Sequence, residues 1–228
     1  GLSGLAALCS GNPFLFQIGG IANDDGQEVT VPLTGWKAQD YEDSQGIESV
    51  SAGSNGELVL KARLEGEHPN FTKGEVYLDL RYAGVPANLR GRKIVVEFEV
   101  PRGLMGDKRD KNVVQIFLKA GPDWSSFYSP RNEIESSAEG KTVEITFDPE
   151  NDDDQESDGI WREDKASALS EVSMIGIRFS VTKSSSDIRF NGNIRVNGVK
   201  IVPSEDVKEE KPKAPETPAR EASDTLGE

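Results

Sequence analysis

The sequence predicts an all-β protein, a β-sandwich or jelly roll, and three observations carry that expectation. Apolar and polar residues alternate in one segment after another, the period of a half-buried strand. Clusters of Gly, Asn, Asp, Ser and Pro separate these segments and mark turns. Helical periodicity is nearly absent, with only residues 163–169 offering a turn or two. Many short antiparallel strands with few helices bury their apolar sides by packing as two facing sheets.

The strands are expected, in order, at 14–21 (FLFQIGGI), 57–64 (ELVLKARL), 76–82 (VYLDLRY), 94–100 (IVVEFEV) and 114–119 (VQIFLK). They continue at 142–147 (TVEITF), 175–181 (IGIRFSV), 188–190 (IRF) and 194–201 (IRVNGVKI). In the clearest of them one alternate set is core: Val76, Leu78, Leu80; Ile94, Val96, Phe98; Val114, Ile116, Leu118; Val143, Ile145, Phe147; Ile175, Ile177, Phe179. This body is expected over residues 12–202. Residues 1–11 (GLSGLAALCSG) read as a disordered leader or as the end of a secretory signal, with Leu8 spoiling a lipoprotein box before Cys9. Residues 203–228 have no aromatic side chain and are rich in Pro, Glu, Lys and Ala. Such a stretch buries too little apolar area to offset its ordering entropy and is expected to be disordered, as a tether to another module or a solvated tail. A secreted, extracellular or periplasmic setting is expected.

Composition excludes several function classes. The 228 residues hold 26 Lys plus Arg against 40 Asp plus Glu, a net charge of −14. Nucleic acid and anionic lipid both ask for a basic face, so neither a nucleic-acid nor a membrane partner is expected. No run of about 18 apolar residues is present to span a bilayer. The single His (His68) and single Cys (Cys9) remove His/Cys zinc sites, Cys–His nucleophiles and disulfide frameworks.

The outward sets are less uniform than the core sets. Glu97 with Glu99, and Glu144 with Thr146, look like plain solvated surface. Tyr77, Asp79, Arg81 and Gln115, Phe117, Lys119 mix rings with rigid hydrogen-bonding groups. Sugar rings offer apolar C–H faces to aromatic planes and hydroxyls to Asp, Arg, Gln and Lys, so this mixture suits a neutral polyol. Cross-strand pairing for sheet stability explains the same residues. After Lys119 the loop AGPDWSSFYSP carries Trp124, Phe127 and Tyr128, and three aromatics in a Gly/Pro/Ser loop bury poorly. Trp124 is expected either as a wall beside the face or as a lid on the core edge, and Trp36 as core.

These residues, in this order, resemble carbohydrate-binding modules of the galactose-binding-like jelly-roll type, such as those attached to bacterial mannanases and glucanases. The resemblance runs through Gly35-Trp36, GELVL at 56–60, GEVYLDL at 74–80, VQIFLK at 114–119 with Trp124, MIGIRF at 174–179 and FNGNIRVNGVKI at 190–201, and covers most of 30–202. It implies a groove lined by outward strands, with Gln115, Lys119, Arg178 and Trp124 touching sugar. Tyr77, Asp79, Arg81 and Tyr128 complete the expected carbohydrate-binding set. The ligand expected is a β-linked polysaccharide or oligosaccharide, a glucan or a mannan, and a covalently linked catalytic domain is the implied partner. No catalytic residue and no cofactor is expected. A structural calcium belongs to the family, whose last strand carries an Asp where this chain has Asn197.

Two other readings remain. A glycoside hydrolase or lyase would use paired carboxylates about 5–10 Å apart. Glu97 and Glu99 stand roughly 7 Å apart by strand rise, on what reads as an ordinary outer face. A ligand-free sandwich would instead hold a protein partner at a strand edge or through the aromatic loop. The acidic run 151–159 imitates the first half of a calcium loop but lacks the closing Glu, and reads as a solvated loop.

Overall fold

The computed structural model describes residues 27–107, 110–122, 124–152, 164–181 and 189–204. The leader, the 14–21 segment, the acidic run beyond residue 152, Trp161, Ile188 and the tail beyond residue 204 lie outside the described residues. In chain order the strands are β1 (Val29–Thr30), β2 (Lys37–Ala38), β3 (Ile47–Ala52), β4 (Leu58–Glu65), β5 (Lys73–Asp79), β6 (Arg92–Glu99) and β7 (Val113–Ala120). They continue with β8 (Ser125–Tyr128), β9 (Asn132–Glu133), β10 (Thr142–Phe147), β11 (Val172–Ser180) and β12 (Arg189–Pro203), and among the described residues a short α-helix, α1 (Lys165–Leu169), precedes β11.

Two six-stranded antiparallel sheets face each other as a β-sandwich jelly roll. The first has the order β10-β6-β12-β4-β3 with β1 beside β12; the second has the order β2-β5-β11-β7-β8 with β9 beside β7. From β4 to β7, and again from β10 to β12, successive strands alternate between sheets. That crossing makes sequence neighbours face each other through the core instead of pairing. The core sets expected from alternation meet there, and Phe98 of one sheet packs edge-on against Phe179 of the other at 5.6 Å. Trp36 is core, donating its indole N–H to the Pro32 carbonyl at 2.8 Å.

Three expectations need correction. Residues 76–82 are not one strand: β5 ends at Asp79, and Leu80–Tyr82 form a 3-10 turn. The cause is local, because the Asp79 carboxylate accepts the Arg81 backbone N–H at 3.0 Å and caps that turn. Residues 188–190 and 194–201 are not two strands, since 189–203 run through as the single strand β12, bent by a bulge between Val196 and Gly198. The aromatics after Trp124 do not lie in a loop either. Ser125–Tyr128 form β8 on β7, so Phe127 enters the core and Tyr128 points to the opposite face.

Candidate functional site

Register assembles the site. On the outer face of the second sheet, Gly176 of β11 stands opposite both Tyr77 of β5 and Phe117 of β7, and Phe117 stands opposite Tyr128 of β8. Lys37 of β2 lies opposite Tyr77, so one row runs Lys37, Tyr77, Gly176, Phe117, Tyr128 across five strands. At the usual spacing that row is about 19 Å wide. Gly176 is the dip in it. A Cβ there would stand 2.0 Å from Phe117 Cζ, so the bare backbone lets the Phe117 ring lie down over β11. Phe117, Tyr128 and Met174, with Tyr77 against them, form a small apolar cluster separate from the main core.

A polar row lies on one side of the aromatic one. Arg178 of β11 is opposite Glu75 on β5 and Gln115 on β7. Its guanidinium donates to Glu75 Oε1 at 2.5 Å and to the Tyr128 hydroxyl at 2.7 Å, and it lies 3.9 Å from the Tyr128 ring centroid. Both ends of the Arg178–Glu75 ion pair are buried. Gln115 is 1% exposed and donates its amide to the Ser129 carbonyl. Gln39 follows β2, donates its backbone N–H to Glu75 and is also buried. Buried charges need partners, and this row supplies them at hydrogen-bond distance.

On the other side of the aromatic row, Met174 stands between Asp79 and Lys119. The Lys119 ammonium sits 5.5 Å from the Tyr41 ring. Asp79 takes the Arg81 guanidinium in a two-point grip, Nε–H at 2.9 Å and Nη2–H at 2.5 Å. That bonded guanidinium holds the Asp79 carboxyl below the usual carboxylate range, outweighing the opposing effect of burial. Trp124, in the β7–β8 turn, is 41% exposed with its face 5.1 Å from Arg81. Tyr82 and Tyr41 are exposed as well, at 85% and 54%.

Seven of the eight expected residues therefore follow from this sheet or its hairpin, in two tiers. Gln115, Arg178 and Tyr128 are buried and bonded to their neighbours, forming a floor with Tyr77 half-buried among them. Lys119, Asp79 and Trp124 form a rim. The eighth, Arg81, leaves the strand face at the 3-10 turn and reaches the rim through Asp79. Sequence reasoning missed Glu75, Gln39 and Met174 as members of this face, and Tyr41 as its margin; only strand pairing reveals them.

The other sheet differs. Glu97 faces Glu144 across β6 and β10, and Glu99 lies beside Arg195 of β12. A groove of about 450 Å³ there is lined by Leu33, Ser54, Asn55, Glu57, Glu99, Arg195 and Asn197, without an aromatic ring. Glu57 accepts Arg195 at 2.7 Å and the Asn55 N–H at 2.8 Å, which ties the turn and places a cation in the groove. Asn197 sits exposed on the bulge beside it, and among the described residues no three of His, Cys, Asp and Glu cluster as metal ligands. Among the described residues no helix is long and apolar enough to cross a membrane.

No family model and no curated protein matches the chain. Among solved structures it is similar to a family 11 carbohydrate-binding module from Clostridium thermocellum, in complex with a β-1,3-1,4-mixed-linked tetrasaccharide, at 11% identity over 78% of this chain and 96% of that one, TM-score 0.47. A family 11 module of a cellulosomal cellulase of the same organism superposes with the same identity and score over 78% and 95%. The cleaved K2 adhesin domain of Lys-gingipain is also similar, at 12% identity over 77% and 99%, TM-score 0.35. Superpositions this loose transfer no ligand.

Proposed function

We propose that the outer face of the β2-β5-β11-β7-β8 sheet binds a β-linked polysaccharide, a glucan or a mannan, without catalysis. One observation carries this reading: an aromatic row, Tyr77 and Phe117–Tyr128 with Gly176 between them, lies between a bonded polar row and a rim bearing Asp79, Lys119 and exposed Trp124. Phe117 and Tyr128 are buried and build the floor, so the exposed Trp124 ring receives the C–H face of a pyranose while rim groups pair with hydroxyls. The Arg178–Glu75–Tyr128 bonds fix the floor before ligand arrives, which keeps the ordering cost of binding low. Gln115, Arg178, Tyr77 and Tyr128 act as the floor in this reading, and Trp124, Lys119 and Asp79 as the contacts. An extracellular setting, next to a linked glycoside hydrolase, goes with such a ligand.

Affinity electrophoresis through gels holding mixed-linked β-glucan, mannan, xylan or alginate tests it, with Trp124→Ala beside the wild type. Retardation by a glucan or mannan, weakened but still measurable in Trp124→Ala, is expected; migration unchanged in every gel overturns the reading. Release of reducing sugar by the purified protein, abolished by Glu97→Gln, would replace it with a hydrolase.

A further inference from the structure

Arg81 touches more of the rim than any hydroxyl-binding role needs. Both ends of its fork rest on Asp79, at 2.9 and 2.5 Å, and its backbone N–H rests on the same carboxylate. Its flat guanidinium lies 5.1 Å from the Trp124 ring and 5.5 Å from the Tyr82 ring. Trp124 reaches it from another element, the tight turn between β7 and β8. That turn holds Trp124 at φ 57°, a left-handed conformation that is an outlier for a bulky side chain. Its backbone N–H bonds back to the Gly121 carbonyl at 3.3 Å, so the peptide is tied while the side chain is left partly in solvent. A large exposed ring on a strained turn otherwise has rotamer freedom that a ligand must remove on binding.

We propose that Arg81, locked by Asp79, is a positioning residue that holds the Trp124 ring in place as the sugar platform, covering one side of the ring and leaving the other open. The proposal rests on the carbohydrate-binding reading and assigns Arg81 a role through Trp124 instead of through the sugar. Lysine cannot replace it, because a point charge lacks the fork that grips Asp79 and the plane that lies on the indole.

The polysaccharide that retards the wild type most strongly is the probe. Arg81→Met keeps the stem and loses the fork; its affinity is expected to fall about two- to tenfold, the loss of one pre-ordered side chain. Arg81→Lys should not restore it. In a Trp161→Phe background, emission comes from buried Trp36 and exposed Trp124, and Arg81→Met should make the Trp124 fraction more quenchable by acrylamide. Adding Arg81→Met to Trp124→Ala should cost nothing further. An equal loss in both backgrounds would mean that Arg81 meets the sugar directly, which overturns the proposal. So would wild-type affinity and quenching in Arg81→Met while Trp124→Ala loses binding. Wild-type binding by Trp124→Ala would overturn the carbohydrate face and this proposal together.

Discussion

Gly176→Ala tests the floor of the face with one methyl group. The added Cβ would stand 2.0, 2.2 and 2.5 Å from Phe117 Cζ, Cε1 and Cε2. Carbon atoms settle at about 3.5–4.0 Å, so the ring must retreat by roughly 1.5 Å. It has little room, being fully buried with Tyr128 5.3 Å away on one side and Tyr77 on the other. Overpacking of this kind costs about 1–3 kcal/mol. For a body of this size each kcal/mol lowers Tm by about 2–4 °C, so a loss of about 4–8 °C is expected for 2 kcal/mol by scanning calorimetry. Displacing the Phe117 ring disturbs the floor beneath the sugar face, and affinity should fall about tenfold, about 1.4 kcal/mol. Phe117→Leu removes the clashing Cζ, so the double variant should be more stable than the sum of the single changes by about 1 kcal/mol or more. Wild-type Tm and affinity in Gly176→Ala, or strict additivity in the double variant, would refute the claim that Phe117 lies over bare backbone.

Two further predictions concern charge. Glu75→Gln removes the carboxylate from a buried ion pair whose partner, Arg178, stays in place; breaking such a pair costs about 3–5 kcal/mol, and thermal unfolding should fall by roughly 6–20 °C, against a degree or so for Glu97→Gln on the other sheet. Asp79 has its pKa lowered by the bonded Arg81, with Lys37 adding to the effect and Tyr82 alongside. A lowered folded pKa means that the corner's contribution is fully present above the unfolded value of about 3.9 and is lost as pH falls through the lower folded one. Affinity and Trp124 quenching should therefore hold from pH 6 to about pH 4 and fail only below it, whereas loss centred between pH 4 and 6 would contradict the Asp79–Arg81 lock.

How far the sequence reaches is set by the range of the interactions involved. β7 and β11 were legible as strands from their alternation, and the core members Ile116, Ile177 and Phe179 are where it puts them, but alternation did not reveal that the opposite set, Gln115, Phe117 and Arg178, is buried as well. β8 was not legible, since SSFY has no pattern of its own and becomes a strand only through pairing with β7. The end of β5 was missed because the apolar-polar rhythm runs on through Leu80 and Tyr82, while a single side-chain bond from Asp79 turns the backbone. Within the site, Trp124 and Lys119 stood out by residue type, whereas Arg178 was named only through the family resemblance. Glu75 could not be named, because its meaning lies in standing opposite an arginine about a hundred residues away. Register is a non-local property, and one sequence holds no trace of it beyond the requirement that apolar faces agree.

The protein contains two methionines, which offer the most direct test of where ligand sits. Met174 lies on the aromatic face, and Met105 packs against the main core from the loop after β6. With 13C-methyl methionine, titration with an oligosaccharide cut from the retarding polysaccharide should move the Met174 methyl resonance to saturation and leave Met105 still. A saturating interaction that shifts Met105, or neither methyl, would place the ligand elsewhere and contradict the account.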